Sequence, residues 1–211
     1  MCSRFENKET GESMFKKFEN DFLMLNIAAK NIKQINIAPN DDILVIKKSD
    51  NEYTLTNFSW GIKFPGDKSP LIFNSRIETI SSKQYWKNLF TKSRCIIPAT
   101  AFYEWENAGK IKIPRRISFE NIPMFFFAGI YVKIDDGIFA SIITTSANNT
   151  IAKIHNRMPV IFSKEEGFNF LNADTDTALT MCKPYIDSEP INIDTADDIL
   201  TVKQREYLRG Q

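Results

Sequence analysis

A series of short β-rich segments crowded into the middle of the chain constrains the fold more than any other feature. The runs CIIPATAFYEW, RRISF, MFFFAGIYVKI, GIFASIITTS and MPVIF follow one another between residues 94 and 162. They are rich in β-branched and aromatic residues, which suit a pleated sheet, and Asp136-Gly137 between two of them predicts a hairpin turn. This region therefore predicts several strands close together along the chain.

Helices are predicted at only a few places around these strands. Apolar residues over residues 12–25 (ESMFKKFENDFLML) recur at helical spacing. The segments SSKQYWKNLF and EEGFNFL predict helices that begin at capping boxes, Ser81 with Gln84 and Ser163 with Glu166. VKQREYL predicts a short helix near the end of the sequence.

Further strands are predicted upstream, in QINIAP, DILVIKK and EYTLTNFSWGI, followed by a loop in GIKFPGDKSP. We find no internal repeat and no Gly/Ser/Pro linker. The sequence therefore predicts one α+β domain over residues 1–211, with a mostly antiparallel sheet curled toward a barrel and a few peripheral helices.

Composition excludes some classes of protein. No run of about 18 apolar residues exists, which excludes a transmembrane helix, and the N-terminus MCSRFENKET lacks the apolar stretch of a signal peptide. The three cysteines, Cys2, Cys95 and Cys182, are widely spaced. We therefore expect a cytoplasmic protein with reduced thiols.

Charge is unevenly distributed along the chain. Residues 76–116 contain nine lysines and arginines against three glutamates, whereas residues 165–198 contain nine carboxylates against one lysine. Such asymmetry can give a basic face that binds a polyanion and an acidic face away from it. Both stretches can equally be ordinary solvated surface.

The position of Cys2, directly after the initiator Met, raises a chemical question. If Met1 is removed, Cys2 carries both a free α-amine and a thiol. Those two groups are spaced to close a five-membered ring onto an aldehyde. Position alone leaves open that Cys2 is an incidental residue of a frayed terminus.

Three other stretches contain residues suited to chemistry. A strand over FNSRIETI would place Asn74, Arg76 and Glu78 on one face, where they could bind a phosphate or form an ordinary polar strand face. In AFYEWE, Glu104 lies between two aromatic residues, so burial could raise its pKa, or it could line an edge strand. His155 of KIHNRMPVIF is the only histidine, so any imidazole chemistry must use it, although a structural role is the alternative.

Together and in this order, these motifs resemble the SOS-response-associated peptidase (SRAP) family of abasic-site processing proteins. The pieces that match are MC-x-R, NIAP, the WG of FSWGIKF, N-x-R-x-E-T of FNSRIET, F-x-E-W of AFYEWE and H-x-R-M-P of IHNRMPVIF. They span residues 1 to about 162, and the acidic segment 166–211 matches poorly. No Walker loop, GxGxxG, HExxH, CxxC or GxSxG motif points to another family.

The resemblance implies a DNA-damage protein that loses Met1 and bonds covalently to abasic sites in single-stranded DNA. It implies a nucleophilic Cys2 assisted by Asn74, Glu104 and His155. The DNA backbone would be held in a basic groove by Arg4, Arg76 and Arg157. We expect no cofactor, no metal and no membrane partner, and we expect a monomer.

The chemistry of these residue types fits that implication. An α-amine has a reference pKa of about 7.7–8.0, far below the value near 10.4 of lysine, so part of it is neutral and nucleophilic in the cell. The amine would form a Schiff base with the ring-opened sugar, and the thiolate would close onto the imine carbon to give a thiazolidine. His155 would transfer a proton at the sugar oxygen, and Glu104 would transfer a proton at the amine or imine. Asn74 would orient the N-terminus or the sugar, and Arg76 would hold a phosphate.

The sequence departs from the family pattern at three places. Ser3 replaces the usual glycine after the cysteine, and Ala101 replaces the usual glycine before Phe102. Phe64 is the only aromatic residue in the loop IKFPGDKSP, where members usually carry a tryptophan that can stack on a base. The missing tryptophan puts the preferred DNA junction in question, and the Ser3 side chain could crowd the turn beside Cys2.

Two other function classes remain open at this stage. An N-terminal-cysteine peptidase or amidohydrolase would use the same residue types for acyl transfer, with Asn74 as the oxyanion donor. A nucleic-acid-binding module would bind DNA without chemistry.

Overall fold

A closed ring of strands forms the centre of the fold in the computed structural model, which describes residues 2–18, 25–27, 35–50, 52–66, 68, 70–187 and 190–210. The strands of the described residues are β1 (Arg4–Glu6), β2 (Leu25–Ile27), β3 (Asp42–Ser49), β4 (Glu52–Trp60), β5 (Asn74–Arg76), β6 (Arg94–Ala99), β7 (Ala101–Ala108), β8 (Ile111–Phe119), β9 (Phe125–Ile134), β10 (Gly137–Ser146), β11 (Arg157–Pro159), β12 (Ile161–Phe162) and β13 (Ile191–Thr195). The helices are α1 (Gly11–Phe18), α2 (Ile77–Ser82), α3 (Gln84–Lys92), α4 (Lys164–Asn172), α5 (Thr175–Met181) and α6 (Val202–Arg209), with 3-10 turns at Ile151–Lys153 and Asp197–Ile199.

The larger sheet closes because β10 pairs on both of its edges. Strands β4, β3, β6 and β9 pair in series, and β10 pairs with β4 at one end of that series and with β9 at the other. Most pairings are antiparallel, and β10 pairs in parallel with β4 and β5, as does β2 with β4. The predicted α+β fold with a curled, mostly antiparallel sheet is therefore confirmed.

A second sheet, in the order β1-β7-β8-β13, continues from the ring. The predicted single strand CIIPATAFYEW is two strands, because the chain bends at Thr100. Strand β6 before the bend belongs to the ring, and β7 after it belongs to the second sheet. The bend thus places β7, which carries Glu104, beside the N-terminal strand β1.

Alternating residues of the ring strands enter two hydrophobic clusters. In β3, Ile43 and Val45 belong to one cluster and Leu44 and Ile46 to the other. The first cluster also holds residues of the second sheet and the N-terminal Cys2, while the second holds residues of helices α1 to α4. Both faces of the ring strands are therefore covered, which explains their continuous apolar runs.

The structure confirms one of the two predicted capping boxes and corrects the other, and it shortens the first predicted helix. The capping box of Ser163 with Glu166 begins α4, as predicted. The predicted box of Ser81 with Gln84 is wrong: Ser81 lies inside α2 and donates to the Ile77 carbonyl, so α3 begins without a side-chain cap. The predicted helix over 12–25 ends at Phe18 in α1; residues 19–24 lie outside the described residues, and Leu25 begins a strand.

Two strand predictions also change. FNSRIETI is a strand only over Asn74–Arg76, because the chain becomes helical at Ile77. Glu78 therefore does not share a strand face with Asn74 and Arg76. The predicted hairpin joins β9 to β10, but Asp135 is the turn residue with a positive φ of 51°, and Gly137 is already in the strand.

None of the helices in the described part of the chain combines the length and apolarity needed to cross a bilayer.

A buried carboxylate on β1 binds side chains of the next two strands of the second sheet, β7 and β8. Glu6 is only 2% exposed and accepts hydrogen bonds from the Tyr103 hydroxyl at 3.0 Å and from the Arg116 guanidinium. Although burial alone would raise its pKa, the hydrogen bond and charge of Arg116 hold the pKa of Glu6 below its usual value. Because β1 begins two residues after Cys2, this network helps to fix the position of Cys2.

We expect Glu6→Gln to destabilise the fold by about 2 kcal/mol, because it leaves Arg116 and Tyr103 facing an uncharged amide at a buried position. Since the pKa of Glu6 is depressed in the folded state, its contribution is present above the unfolded pKa and is lost as the pH falls through the folded pKa. Urea denaturation at several pH values measures both effects.

A matched control exists one strand pair away. Glu106 pairs with Arg115 at 2.7 Å, but both side chains are partly exposed, so Glu106→Gln is expected to cost less than about 1 kcal/mol. Equal losses in the two variants would show that Glu6 is an ordinary surface ion pair.

Candidate active site

Cys2 is buried two residues before β1 and is not part of a frayed terminus. Its side chain is 0% exposed, and its thiol donates to the Arg4 carbonyl at 3.3 Å. Burial first, and then the negative charge of Glu104, raise the pKa of this thiol far above its ordinary value. The thiol is therefore held protonated and needs a base to become a nucleophile.

Asn74 contacts the same residue directly. Its amide Nδ2 donates to the Cys2 carbonyl at 2.7 Å, a bond between residues 72 positions apart in the sequence. Its Oδ1 is buried and has no hydrogen-bond partner among the described residues. Asn74 thus fixes the backbone of Cys2 and keeps one acceptor available for a further donor.

Trp60, of the WG motif, holds the segments that carry both residues. Its indole N–H donates to the Phe73 carbonyl at 2.8 Å, one residue before Asn74. Its ring packs edge-on against Phe5 of β1, with ring centroids 5.1 Å apart. The relative position of Cys2 and Asn74 is therefore set by one fully buried side chain.

Glu104 lies on β7, the strand that pairs with β1. It is 2% exposed, and burial raises its pKa to about 7. The register that pairs Arg4 with Tyr103 brings the start of the chain alongside Glu104, and the effect of its charge on the Cys2 thiol reflects that proximity. A carboxyl that titrates near neutrality can both give and accept a proton at cellular pH.

His155 is half-buried in the loop before β11. Its Nδ1 lies 3.0 Å from the Arg157 backbone N and 3.3 Å from the Arg157 carbonyl. The shorter contact needs an unprotonated Nδ1, so it places the proton of the neutral ring on Nε2. Burial lowers the pKa of His155, and the charges of Lys112 and Arg157 lower it further, which favours this neutral form at pH 7.

The three predicted DNA-binding arginines differ in their surroundings. Arg157 makes a two-point ion pair with Glu78, at 2.7 and 3.0 Å, and donates to the Thr144 carbonyl. Arg4 donates to the Ser3 carbonyl, and Arg76 is exposed at the end of β5. Arg157 therefore already has a protein partner, whereas Arg76 faces solvent.

Strand β10 brings the two sides of this group together. It pairs in parallel with β5, where Ile142 is opposite Asn74, and antiparallel with β11, where Ser146 is opposite Arg157. The FNSRIET and IHNRMP motifs thus flank the end of one strand. Together with β1 and β7, this arrangement places Cys2, Asn74 and Glu104 in one group and the His155 loop on the neighbouring edge.

Lys112 is a residue whose place near the site the sequence does not indicate. It lies exposed on β8, and its charge lowers the pKa values of both Glu104 and His155. The sequence shows it only as one of several lysines in a basic stretch. No local pattern would have found it, because its position depends on the pairing of β8 with β7.

The arrangement can carry out proton transfer and nucleophilic attack at one point. It contains a thiol, a carboxyl that titrates near neutrality, an amide acceptor and, on the adjoining edge, a neutral imidazole. Within the described ranges, no group of three or more His, Cys, Asp or Glu side chains is suited to hold a metal ion.

A curled sheet in which an asparagine holds a cysteine near the N-terminus, beside a buried glutamate, defines a class of protein, and sequence comparison identifies it. The chain matches the model of the family described as SOS response associated peptidase (SRAP) over residues 1–197. The chain therefore belongs to the SRAP family. The match extends well past the last motif, at residue 162.

Named relatives of the chain come from several organisms. Abasic site processing protein YoqW of Bacillus subtilis is 34% identical over 203 residues, which cover 88% of each chain. Abasic site processing protein YedK of Escherichia coli is 30% identical over 172 residues, 78% of this chain and 77% of YedK.

Solved structures share the fold at lower sequence identity. A protein from Bacteroides thetaiotaomicron, 24% identical, superposes with a TM-score of 0.74 over 93% of both chains. A protein from Bordetella bronchiseptica, 20% identical, gives a TM-score of 0.76 over 93% of this chain and all of that one. These likenesses concern the fold alone.

Proposed function

We propose that this protein processes abasic sites in single-stranded DNA in the cytoplasm by bonding to them covalently through Cys2 after removal of Met1. The observation that carries the proposal is the 2.7 Å hydrogen bond from the Asn74 amide to the Cys2 carbonyl, beside the carboxyl of Glu104. A frayed terminus needs no such partners. The similarity to abasic site processing proteins supports the same activity.

The reaction proceeds in two bond-forming steps. The neutral α-amine of Cys2 attacks the aldehyde carbon of the ring-opened sugar, and loss of one water gives an imine. The Cys2 sulfur then attacks the imine carbon, its proton ends on the nitrogen, and a thiazolidine ring results. The product joins the protein to DNA through one C–N and one C–S bond.

Glu104 is the group that moves protons at Cys2. Because its pKa is raised to about 7, part of it is ionised and part protonated at neutral pH. The protonated form can donate to the departing water, and the ionised form can accept the thiol proton as the ring closes. This base is needed because burial holds the Cys2 thiol protonated.

Asn74 and His155 orient the substrate. The unoccupied acceptor Oδ1 of Asn74 can receive a hydrogen bond from the α-amine or a sugar hydroxyl. Neutral His155 can donate its Nε2 proton to the sugar oxygen during ring opening. Both residues lie beside β10, so one strand sets their separation.

The arginines hold the DNA backbone in this proposal. Arg4 and Arg76 provide donors for phosphates, and Arg157 shares its guanidinium between Glu78 and the DNA. Lys112 adds positive charge next to Glu104 and His155. A single protein molecule contains all of these groups, so the proposed active form is a monomer.

The decisive experiment varies the aldehyde. Protein shown by mass spectrometry to lack Met1 is incubated with single-stranded DNA that contains one abasic site, or with the same DNA containing a tetrahydrofuran analogue. We expect a heat-stable protein–DNA species with the aldehyde and none with the analogue, although both DNAs bind. Binding to both without any adduct would reduce the protein to a DNA-binding module.

Arg76→Ala is expected to weaken binding to single-stranded DNA and to flatten its salt dependence. Each lost phosphate contact changes the slope of log K against log salt by about 0.7 on single strands. Equilibrium binding to the tetrahydrofuran DNA at several salt concentrations measures the slope. Lys48→Ala, which changes a partly exposed lysine on β3, is the control. An unchanged slope in Arg76→Ala would show that Arg76 does not contact the DNA backbone.

Peptide hydrolysis is the second candidate, since the family description names a peptidase. Cys2 and Glu104 are a nucleophile and a proton carrier that acyl transfer also needs. However, the Asn74 amide donates to the carbonyl of Cys2 itself, which is not the carbonyl cleaved when Met1 is removed. Cys2-dependent cleavage of a peptide panel, without a DNA adduct, would favour this candidate.

A further inference from the structure

A cavity lies next to the candidate active site and has no part in the reaction described above. Its volume is about 260 Å³, and it is lined by Ile72, Asn74, Arg76, Thr79, Ile80 and Trp86. Asn74 belongs both to this cavity and to the contacts of Cys2. Anything bound in the cavity is therefore an immediate neighbour of anything bound at Cys2.

Trp86 forms the aromatic wall of the cavity and is held in place by two other rings. On α3 it packs edge-on against Tyr85, with centroids 5.6 Å apart, and against Phe64, with centroids 6.5 Å apart. Phe64 also packs against Tyr85 at 5.8 Å. The single aromatic residue of the IKFPGDKSP loop thus braces the indole, so little side-chain freedom is left to lose on binding.

The chemistry of the walls fits one kind of occupant. Ile72, Ile80 and Trp86 offer an apolar and aromatic surface, while Arg76 is exposed and can hold an anion at the edge of the cavity. The volume is just below the range of about 300–1,000 Å³ for pockets that take drug-sized ligands, so the cavity suits a single ring system. An apolar ring joined to an anionic group describes a nucleotide.

We propose that this cavity binds the nucleobase adjacent to the abasic sugar, stacked on Trp86, with Arg76 holding the phosphate between the two nucleotides. The inference rests on the proposed function, since it requires single-stranded DNA at Cys2. Stacking accepts every base, because each has a π face. The subsite therefore sets the position of the strand rather than reading its sequence.

The test removes the neighbouring nucleobase from the DNA and the Trp86 ring from the protein, first separately and then together. Binding is measured with three single-stranded DNAs: one with a single tetrahydrofuran residue, and two in which the 5′ or the 3′ neighbour is also tetrahydrofuran. For the wild-type protein we expect about a tenfold weaker affinity when one of the two neighbouring bases is missing, as loss of one stacked base gives. Trp86→Leu should bind the first DNA about tenfold more weakly and lose nothing further when that base is removed.

Two more variants separate this effect from a general loss of structure. Thr79→Phe fills the cavity without altering α3 and is expected to reproduce the loss of base dependence. Tyr53→Leu removes another half-buried ring, one braced by Phe168 at 4.9 Å, and is expected to keep the full base dependence. Thermal denaturation confirms that the variants being compared are folded.

The outcomes separate this proposal from the proposed function. Equal affinity of the wild type for all three DNAs, or equal base dependence in the wild type and Trp86→Leu, overturns the subsite. The binding DNAs contain no aldehyde, so these results do not depend on the covalent step. An adduct on aldehyde DNA with no base dependence would leave the proposed function standing, and base dependence without an adduct would leave the subsite standing.

Discussion

We expect Cys2→Ser to form no heat-stable adduct with abasic DNA while still binding it. A serine hydroxyl is slightly smaller than the thiol and can also donate to the Arg4 carbonyl, so it fits the buried position of Cys2. The variant keeps the α-amine, so the imine still forms, but no sulfur is present to close a thiazolidine. The bond to DNA then stays reversible and is lost on heating.

A reductant separates the two steps. Borohydride added during incubation should convert the imine of Cys2→Ser into a stable amine, which restores a covalent species. The same variant with its α-amine acetylated, verified by mass spectrometry, serves as the control and should give no species under either condition, because it has no α-amine to form the imine. A heat-stable adduct from Cys2→Ser without reductant would show that the sulfur has no part in the product.

Glu104→Gln is expected to slow adduct formation by about 10²–10⁴-fold, the usual contribution of a general acid–base group. In the wild type the rate should rise with pH through about 7, because the carboxylate that accepts the thiol proton forms there. In the variant that rise should disappear and leave only the titration of the α-amine, near 8. Single-turnover rates between pH 5.5 and 9 measure the profile.

The same substitution should stabilise the protein, which separates a catalytic role from a structural one. Because burial raises the pKa of Glu104 from 4.5 to about 7, the folded state binds its proton more tightly than the unfolded state does. The wild type therefore loses stability as the pH rises from 4.5 through 7, whereas the glutamine variant does not. We expect Glu104→Gln to be more stable at pH 8 by up to about 3 kcal/mol.

Glu106→Gln is the matched control, two residues farther along the same strand and partly exposed. It should change the adduct rate and its pH profile little. A Glu104→Gln variant that is both slower and less stable at pH 8 would mean that the carboxyl is a structural hydrogen-bonding group.

Some features that depend on neighbours in sequence could be predicted, although the equally local box of Ser81 with Gln84 is wrong, whereas features that depend on pairing could not. The capping box of Ser163 with Glu166 and the hairpin after Ile134 are local, and both occur. The bend at Thr100 and the closure of the ring by β10 require pairing between distant segments, which no local pattern records. The sequence predicts a curled sheet, but it does not indicate that β10 is the strand that closes the ring.

The same distinction explains the site. Motif order made Cys2, Asn74, Glu104 and His155 candidates, and the structure adds the one contact that ties the first two together. The strand period placed Glu78 on a face with Asn74, and this was wrong because the chain becomes helical between them. The pairing of Glu78 with Arg157 instead depends on α2 and β11 lying beside the same strand.

The short strand β1 has a mechanical consequence. In the proposed adduct, tension on the DNA reaches the protein at Arg4–Glu6, a strand of three residues that pairs with β7 and is bridged to Ile37 through Phe5. A force applied at Cys2 acts on the backbone hydrogen bonds of β1 before it acts on the closed ring of strands. The hydrogen bonds of the buried Glu6 to Tyr103 and Arg116 then determine how much force β1 withstands before it separates from β7.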